Sequence, residues 1–316
     1  MRVFVAGATG AIGSRLVPLL ASAGHTVAGL TRNPAKSDAL RRGGSEPVVA
    51  DALNRAAIVA AVANAKPDVI VHEMTSLSDA NDLRRMARSF AATNRLRTEG
   101  LNNLLAAAKQ AATPRLIAQS FCGWPYAREG GPVKTEDDPL DPEPPRELQR
   151  TLEAIRYLEG TVTAAPEIEG IVLRYGAFYG PNTGLFDGPM IEQLRHRRVP
   201  LIGDANGWWS FLHIDDAAAA TAIAVERGAP GVYNIVDDEP APVRDWLPAL
   251  AAMLGARPPR RIPKWLARIV AGEHIVTMMT EARAGSNAKA KRELAWQPKH
   301  ASWRQGFAEV LAQRGC

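Results

Sequence analysis

The residues best placed to do chemistry come first in the chain. Gly7, Gly10 and Gly13 punctuate the run Gly7-Ala8-Thr9-Gly10-Ala11-Ile12-Gly13, which follows the apolar stretch Arg2–Ala6 and precedes a helix-like stretch from Ser14 to Ala21. Between a strand and a helix each glycine has a physical role. The first permits a tight turn, the second lets a pyrophosphate approach the backbone, and the third lets helix and strand pack closely. The helix N-terminus adds free N–H groups and a positive dipole end. The run therefore predicts a dinucleotide phosphate cradle built from Gly7, Thr9, Gly10, Ala11, Ile12 and Gly13.

The next chemistry lies where a second strand, Thr26–Leu30, ends in Thr31-Arg32-Asn33-Pro34, with Lys36 just beyond. An acid at this position accepts the ribose 2′-hydroxyl of NAD, whereas an arginine accommodates the 2′-phosphate of NADP. A guanidinium can clamp phosphate with paired hydrogen bonds. Arg32 argues for NADP(H), with Lys36 or Arg15 as helpers. Asp51 ends strand three, Glu46–Ala50, where its carboxylate either accepts from an adenine amino group or caps the helix Asn54–Ala63. Ala52 beside it, Met74 and Thr75 after strand four (Asp68–His72), Gln119 at the end of strand five (Arg115–Gln119), and Tyr175 and Phe178 after strand six (Gly170–Arg174) are expected along the same cofactor.

Strands alternating with helices, including Asn94–Ala111 and Pro145–Ala164, predict an α/β fold with a Rossmann-like, doubly wound parallel sheet. Ligands of such sheets bind outside the carboxyl ends of the strands. Ser120-Phe121-Cys122-Gly123-Trp124-Pro125-Tyr126 leaves strand five there, and a proline- and acid-rich excursion, Gly130–Arg146, follows. Residues 1–181 read as the NADP(H)-binding domain, also receiving segments near 211–236, and 182–316 as mainly a smaller C-terminal substrate lobe. Helices are expected over Pro189–Arg197, Val243–Leu254, Lys264–Ala271 and Trp303–Arg314, with a strand at Val232–Val236.

The composition narrows the classes. The 316 residues are 46% hydrophobic and 22% charged, ordinary for a globular protein. No apolar run approaches the roughly 20 residues of a membrane span. Two cysteines, Cys122 and Cys316, exclude a disulfide framework and a cysteine zinc site, and they suit a reducing cytoplasm. No metal site is expected. The net charge of +5 comes without a basic stripe interleaved with stacking aromatics, so no nucleic-acid partner is expected.

These landmarks resemble the extended short-chain dehydrogenase/reductases, the NAD(P)-dependent epimerase/dehydratase superfamily, over nearly the whole chain. The glycine run, Asp51, Asn94, Leu173-Arg174 with Tyr179-Gly180-Pro181, Phe211–Asp216 and Gly231–Ile235 each match a landmark of that group. The resemblance implies a nicotinamide cofactor held partly by Asn94, a small-molecule substrate, and a possible homodimer through helices following strands four and five. It also exposes one departure. The group's chemistry depends on Tyr-x-x-x-Lys in the helix that here covers Pro145–Ala164. A nearby ammonium favours the phenolate of such a pair. No register of this helix supplies it: one places Thr151 and Ile155 at the two positions, another Arg146 and Arg150, and the helix's tyrosine, Tyr157, has Thr161 four residues on.

An arginine cannot donate a proton at neutral pH. The expected donor is therefore Tyr126 on the strand-five loop, with Ser120 positioning the substrate oxygen. Lys134 reads as a solvated loop lysine. Phe121, Trp124, Arg150, Phe186, Trp208, Trp209 and His213 are the candidate substrate contacts. Lobe packing is the other reading of the aromatics, and a structural hydrogen bond that of His213. Arg195–Arg198 would suit a substrate diphosphate. The expected activity is an NADP(H)-dependent reductase of the carbonyl type. The alternatives are a cofactor-retaining nucleotide-sugar epimerase or dehydratase, which the missing pair disfavours, and a non-catalytic dinucleotide-binding redox sensor.

Overall fold

The computed structural model describes residues 1–76 and 86–314, with the side chains of 86–89 left aside; Cys316 lies outside the described residues. Its centre is a seven-stranded sheet. The strands are β1 (Arg2–Ala6), β2 (Thr26–Thr31), β3 (Ser45–Val49), β4 (Val69–His72), β5 (Arg115–Phe121), β6 (Glu169–Tyr175) and β7 (Gly231–Ile235). All pair in parallel in the order β3-β2-β1-β4-β5-β6-β7. The order reverses between β1 and β4, which opens a crevice at their carboxyl ends.

The strands are apolar on both faces because helices cover both. Alternation sorts the side chains: Val3, Val5, Ile117, Ile171 and Leu173 enter one core, and Phe4, Ile70, Leu116 and Val172 the other. Helices α1 (Gly13–Ser22) and α6 (Ile214–Glu226) close the first face. Helices α2 (Arg55–Ala65), α4 (Leu101–Gln110) and α5 (Arg146–Thr163) close the second. The expected helix Asn94–Ala111 is a composite. Helix α3 (Met86–Arg95) runs into a π-helical turn, Leu96–Gly100, before α4. A π turn leaves no periodicity mark in a sequence, and such turns concentrate at functional sites.

A third core lies beyond the sheet. Tyr179, Phe186, Phe211, Trp246, Trp303 and Phe307 pack in it with helices Val243–Met253 and Trp303–Gln313. Phe307 meets Tyr179, Phe186 and Phe211 edge-on at centroid distances of 5.1, 5.3 and 5.1 Å. Each such pair adds about 0.5–1.5 kcal/mol beyond area burial. Phe186, expected at the substrate, is spent here and is 2% exposed. Trp209 touches this core from its edge. Among the described residues no helix is long and apolar enough to cross a membrane.

Candidate active site

The glycine run forms the turn from β1 into α1. Gly7 has φ +99°, and a Cβ there would lie 2.6 Å from the Glu73 carbonyl oxygen. A Cβ at Gly13 would lie 2.2 Å from the Gly7 carbonyl oxygen. Both are glycine because backbone packs against backbone. Gly10 is different: it is exposed, and a Cβ there would meet only the Gly7 carbonyl oxygen, at 3.2 Å. Its missing side chain leaves room for a ligand rather than for the fold. Helix α1 starts after Ile12 with no side-chain cap. The Ser14 and Arg15 N–H groups donate to the Gly10 and Ile12 carbonyls at 3.0 and 2.9 Å, so what α1 offers a pyrophosphate is its positive dipole end, with Thr9 and Ala11 half-buried at the rim. The cradle fits a dinucleotide.

Arg32 and Lys36 are exposed on the loop after β2. Arg15, expected to help them, is committed elsewhere. It donates to Asp215 Oδ1 at 2.6 Å and to the carbonyls of Ala11 and Pro181 at 2.9 and 2.7 Å. Asp51 stands exposed after β3 and accepts from the Leu53 N–H. It does not cap α2; Asn54 does, accepting from the Ala57 N–H. Ala52 is buried, its carbonyl accepting from Asn103 Nδ2. Met74 is buried and Thr75 exposed beyond β4, and Gln119 is buried in β5. Tyr175, expected at the cofactor, is held inside the fold: its hydroxyl donates to Glu73 at 2.9 Å and meets Thr221 Oγ1 at 2.7 Å. Phe178 leans on the Tyr175 ring at 5.5 Å.

A cavity of about 210 Å³ opens beside the carboxyl end of β5. Phe121, Trp124, Trp208 and Trp209 line it, as expected. Sequence reasoning missed Phe90 and Arg97, which it also gathers. Arg150 does not line it and is exposed on α5. His213 caps α6 instead, its Nδ1 accepting from the Asp215 N–H, with its ring stacked on His300 at 3.8 Å. Arg195 to Arg198 do not line it either, and Arg197 donates to the Pro258 carbonyl.

One of the expected registers of α5 has both of its residues at this cavity. Thr151 and Ile155 line it, and Thr151 Oγ1 accepts from Asn94 Nδ2 at 3.2 Å. Arg146 and Arg150 are exposed, and Tyr157 lies on the surface with its hydroxyl donating to Asn102. In that register a threonine and an isoleucine, neither able to act as a phenol or an ammonium, face the cavity from α5.

Tyr126 has a different setting from the expected one. It is 1% exposed, does not line the cavity, and donates to Asn234 Oδ1 at 2.7 Å. Arg174 Nη1 donates to its oxygen at 3.0 Å, and burial pushes the phenol well above its ordinary range. Such a phenol is a weaker acid than usual and is already hydrogen-bonded. Ser120 is buried as well, donating to Glu159 Oε1 at 2.6 Å. Glu159 in turn holds Arg174 through two contacts of 2.9 and 2.7 Å. Lys134 is not a solvated lysine: it is 5% exposed and paired with Asp138. Cys122 does line the cavity, but burial raises its thiol pKa far out of the thiolate range. Among the described residues the cavity wall offers no phenol and no ammonium.

Three buried groups, His72 at the end of β4, Glu73 next to it and Asp237 beyond β7, tie stability to pH. Met74 N–H donates to His72 Nδ1 at 3.2 Å, so the ring proton sits on Nε2, which donates to the Leu96 carbonyl at 3.0 Å and anchors the π turn. Burial lowers the His72 pKa to about 4 and raises that of Glu73 to about 8; Asp237 also rises to about 8. The unfolded chain protonates His72 near 6.5, so that contribution is lost as pH falls from 6.5 to 4. The two acids act oppositely. Unfolded, they ionise near 4 while the folded protein keeps their protons, so stability falls as pH rises towards 8. Above pH 6.5 only the acids contribute. The unfolding free energy from urea titrations should therefore fall between pH 6.5 and 8, by up to about 2 kcal/mol per acid. Glu73→Gln should flatten part of that slope. A profile that is flat or rising in the parent protein would contradict the assignment.

Comparison with known proteins places the chain. The model of the NAD dependent epimerase/dehydratase family matches residues 3–236. A 3-diazoavenalumate denitrifying reductase from Streptomyces sp is 43% identical over 97% of this chain and 99% of its own length. A 4-hydroxy-2-methyl-3-oxo-4-farnesyl-3,4-dihydroquinoline-1-oxide ketoreductase from Stigmatella aurantiaca is 26% identical over 81% of this chain and 74% of its own. Among solved structures, a UDP-glucose 4-epimerase from Thermotoga maritima superposes with a TM-score of 0.79 at 20% identity, covering 100% of this chain and 99% of that one, a likeness of fold. On the matched residues, the sheet and the glycine cradle, the chain belongs to the NAD dependent epimerase/dehydratase family and is an oxidoreductase of its extended short-chain branch.

Proposed function

We propose that this protein is an NAD(P)H-dependent reductase whose acceptor needs no protein phenol as proton donor, and that the acceptor is a diazo compound reduced with loss of dinitrogen. The observation that supports the reading is the cavity itself, which Thr151 and Ile155 line from α5 and whose described residues include no phenol and no ammonium. The Streptomyces relative, whose name describes a reductase that denitrifies a diazo compound, supports it. When bound, the reduced nicotinamide supplies a hydride, and a diazonium R–N₂⁺ that accepts it becomes R–H and N₂, so charge balances without a proton from the protein. The chain's own residues position and shield. Trp208, Trp209, Phe121 and Trp124 exclude water and pack on a planar acceptor, and the Asn94–Thr151 pair fixes the wall facing it.

The reading is tested by supplying 4-deuterated NADPH with a benzenediazonium carboxylate. Dinitrogen release should match cofactor oxidation, with deuterium at the former diazo carbon. Cofactor oxidation with ketones but not with the diazonium would sink it. Carbonyl reduction remains the second reading. It is favoured by the Thr151 hydroxyl, which could orient a ketone oxygen, and by the ketoreductase relative. The same proposal takes the protein as a cytoplasmic enzyme acting on a small molecule as a homodimer, a compartment that suits the free Cys122 thiol.

The cofactor of this proposal is NADP(H). Arg32 supports that choice: it is exposed beyond β2, and among the described residues it has no ion-pair partner. NADPH should bind more tightly than NADH, and Arg32→Ala should remove most of the difference, about 1.5–3 kcal/mol for a charge-assisted phosphate contact. Fluorescence titration of both cofactors measures it. Equal affinities in the parent protein would refute the preference.

A further inference from the structure

Among the described residues lining the cavity, one carries a formal charge: Arg97. It is 7% exposed, and neither Nε nor Nη1 finds a hydrogen-bond partner among the described residues. The nearby carboxylate is already in use, since Glu159 binds Arg174 through both oxygens and accepts from Ser120. Burial lowers the Arg97 pKa to about 10, which leaves the guanidinium cationic at neutral pH. A buried cation with no direct ion-pair partner is costly to hold. The backbone is specialised to hold it there. Arg97 sits in the π turn Leu96–Gly100, one turn from Asn94, and the turn is pinned by His72 Nε2 on the Leu96 carbonyl. Apart from the hydroxyls of Thr151 and Ser210, the side chains of the rest of the wall are mostly apolar and aromatic, with Trp124, Trp208, Trp209 and Phe121 around the guanidinium's cavity.

We propose that Arg97 is the anion-recognition residue of the substrate site, and that the site takes a planar, conjugated carboxylic acid whose carboxylate pairs with Arg97 while its π system lies between the aromatic walls. A carboxylate matches the guanidinium fork through paired hydrogen bonds, supplies the direct ion-pair partner that Arg97 lacks among the described residues, and leaves the ligand's apolar body to the indoles. The aromatic walls are too apolar to receive a hydrated phosphate cluster, and a single guanidinium suits a single carboxylate. This rests on the reading of the cavity as the substrate site, and it adds the chemical class that the site selects.

The test is binding rather than turnover. Calorimetric titration of the protein, saturated with NADP⁺, compares 2-naphthoate with its neutral isostere 2-naphthamide. The acid should bind at least about tenfold more tightly, the scale of one charge-assisted pair. Arg97→Gln should remove that preference while changing 2-naphthamide binding by less than about threefold, a readout that a merely structural arginine would not give. Arg97→Lys, which keeps the charge, should retain part of the preference and covers the case in which Arg97→Gln fails to fold. Equal binding of acid and amide by the parent protein, no binding of either, or an undiminished preference in Arg97→Gln would each overturn the proposal. A preference for the acid without diazonium reduction would overturn only the proposed reaction. Dinitrogen release without that preference would overturn only the role of Arg97.

Discussion

Gly10→Val is expected to abolish dinucleotide binding while leaving the protein folded. The two halves separate because the glycines do different work. At Gly7 and Gly13 an added Cβ would strike backbone at 2.6 and 2.2 Å, so substitution there should disturb the turn itself. At Gly10 the nearest atom is the Gly7 carbonyl oxygen at 3.2 Å, and the position is exposed. A valine there fits the fold with a small shift and projects into the path of the pyrophosphate. Losing that approach should weaken NADPH binding by roughly 4 kcal/mol or more, about a thousandfold. Far-UV circular dichroism and the urea midpoint should stay near the parent values. Normal NADPH binding by Gly10→Val would mean that the phosphates lie elsewhere.

The second large effect is on stability. Glu159→Ala should cost about 3–5 kcal/mol in urea unfolding, because it strands Arg174, which is 5% exposed, without its counter-charge. It also leaves the Ser120 hydroxyl without its acceptor. Tyr126 belongs to this same cluster, through Arg174 and Asn234. Tyr126→Phe should therefore cost about 1–3 kcal/mol of stability, since Asn234 loses a buried donor. Turnover of the folded protein should stay within about twofold, whereas removing a general acid typically costs 10²–10⁴-fold. A collapse of turnover with unchanged stability would restore Tyr126 to the chemistry.

Much of this was legible in the chain alone. The strand–glycine–helix opening, the alternation of strands and helices, and the parallel sheet follow from periodicity and turn chemistry, which act over a few residues. The absence of Tyr-x-x-x-Lys from α5 is equally local: the helix holds one tyrosine, Tyr157, and no lysine. Four of the aromatics singled out in the sequence, Phe121, Trp124, Trp208 and Trp209, do line the cavity, although Trp208 and Trp209 reach it from a short strand paired with Ala241–Pro242.

What the tertiary structure decided is which polar side chains are already satisfied. Ser120 near the end of β5 and Tyr126 in the segment after it look catalytic, yet Asn234, Arg174 and Glu159, distant in sequence, consume their hydrogen bonds. Arg15 likewise finds Asp215 across 200 residues rather than a cofactor phosphate. Arg97 is the converse case. As one arginine in a helix it reads as a solvated charge, and only the π turn and the packing of α5 beside it bury its guanidinium in the cavity wall. Residue type sets what a side chain can donate or accept. Whether that capacity is spent inside the fold or left for a ligand depends on contacts between segments far apart in sequence, which local pattern does not encode.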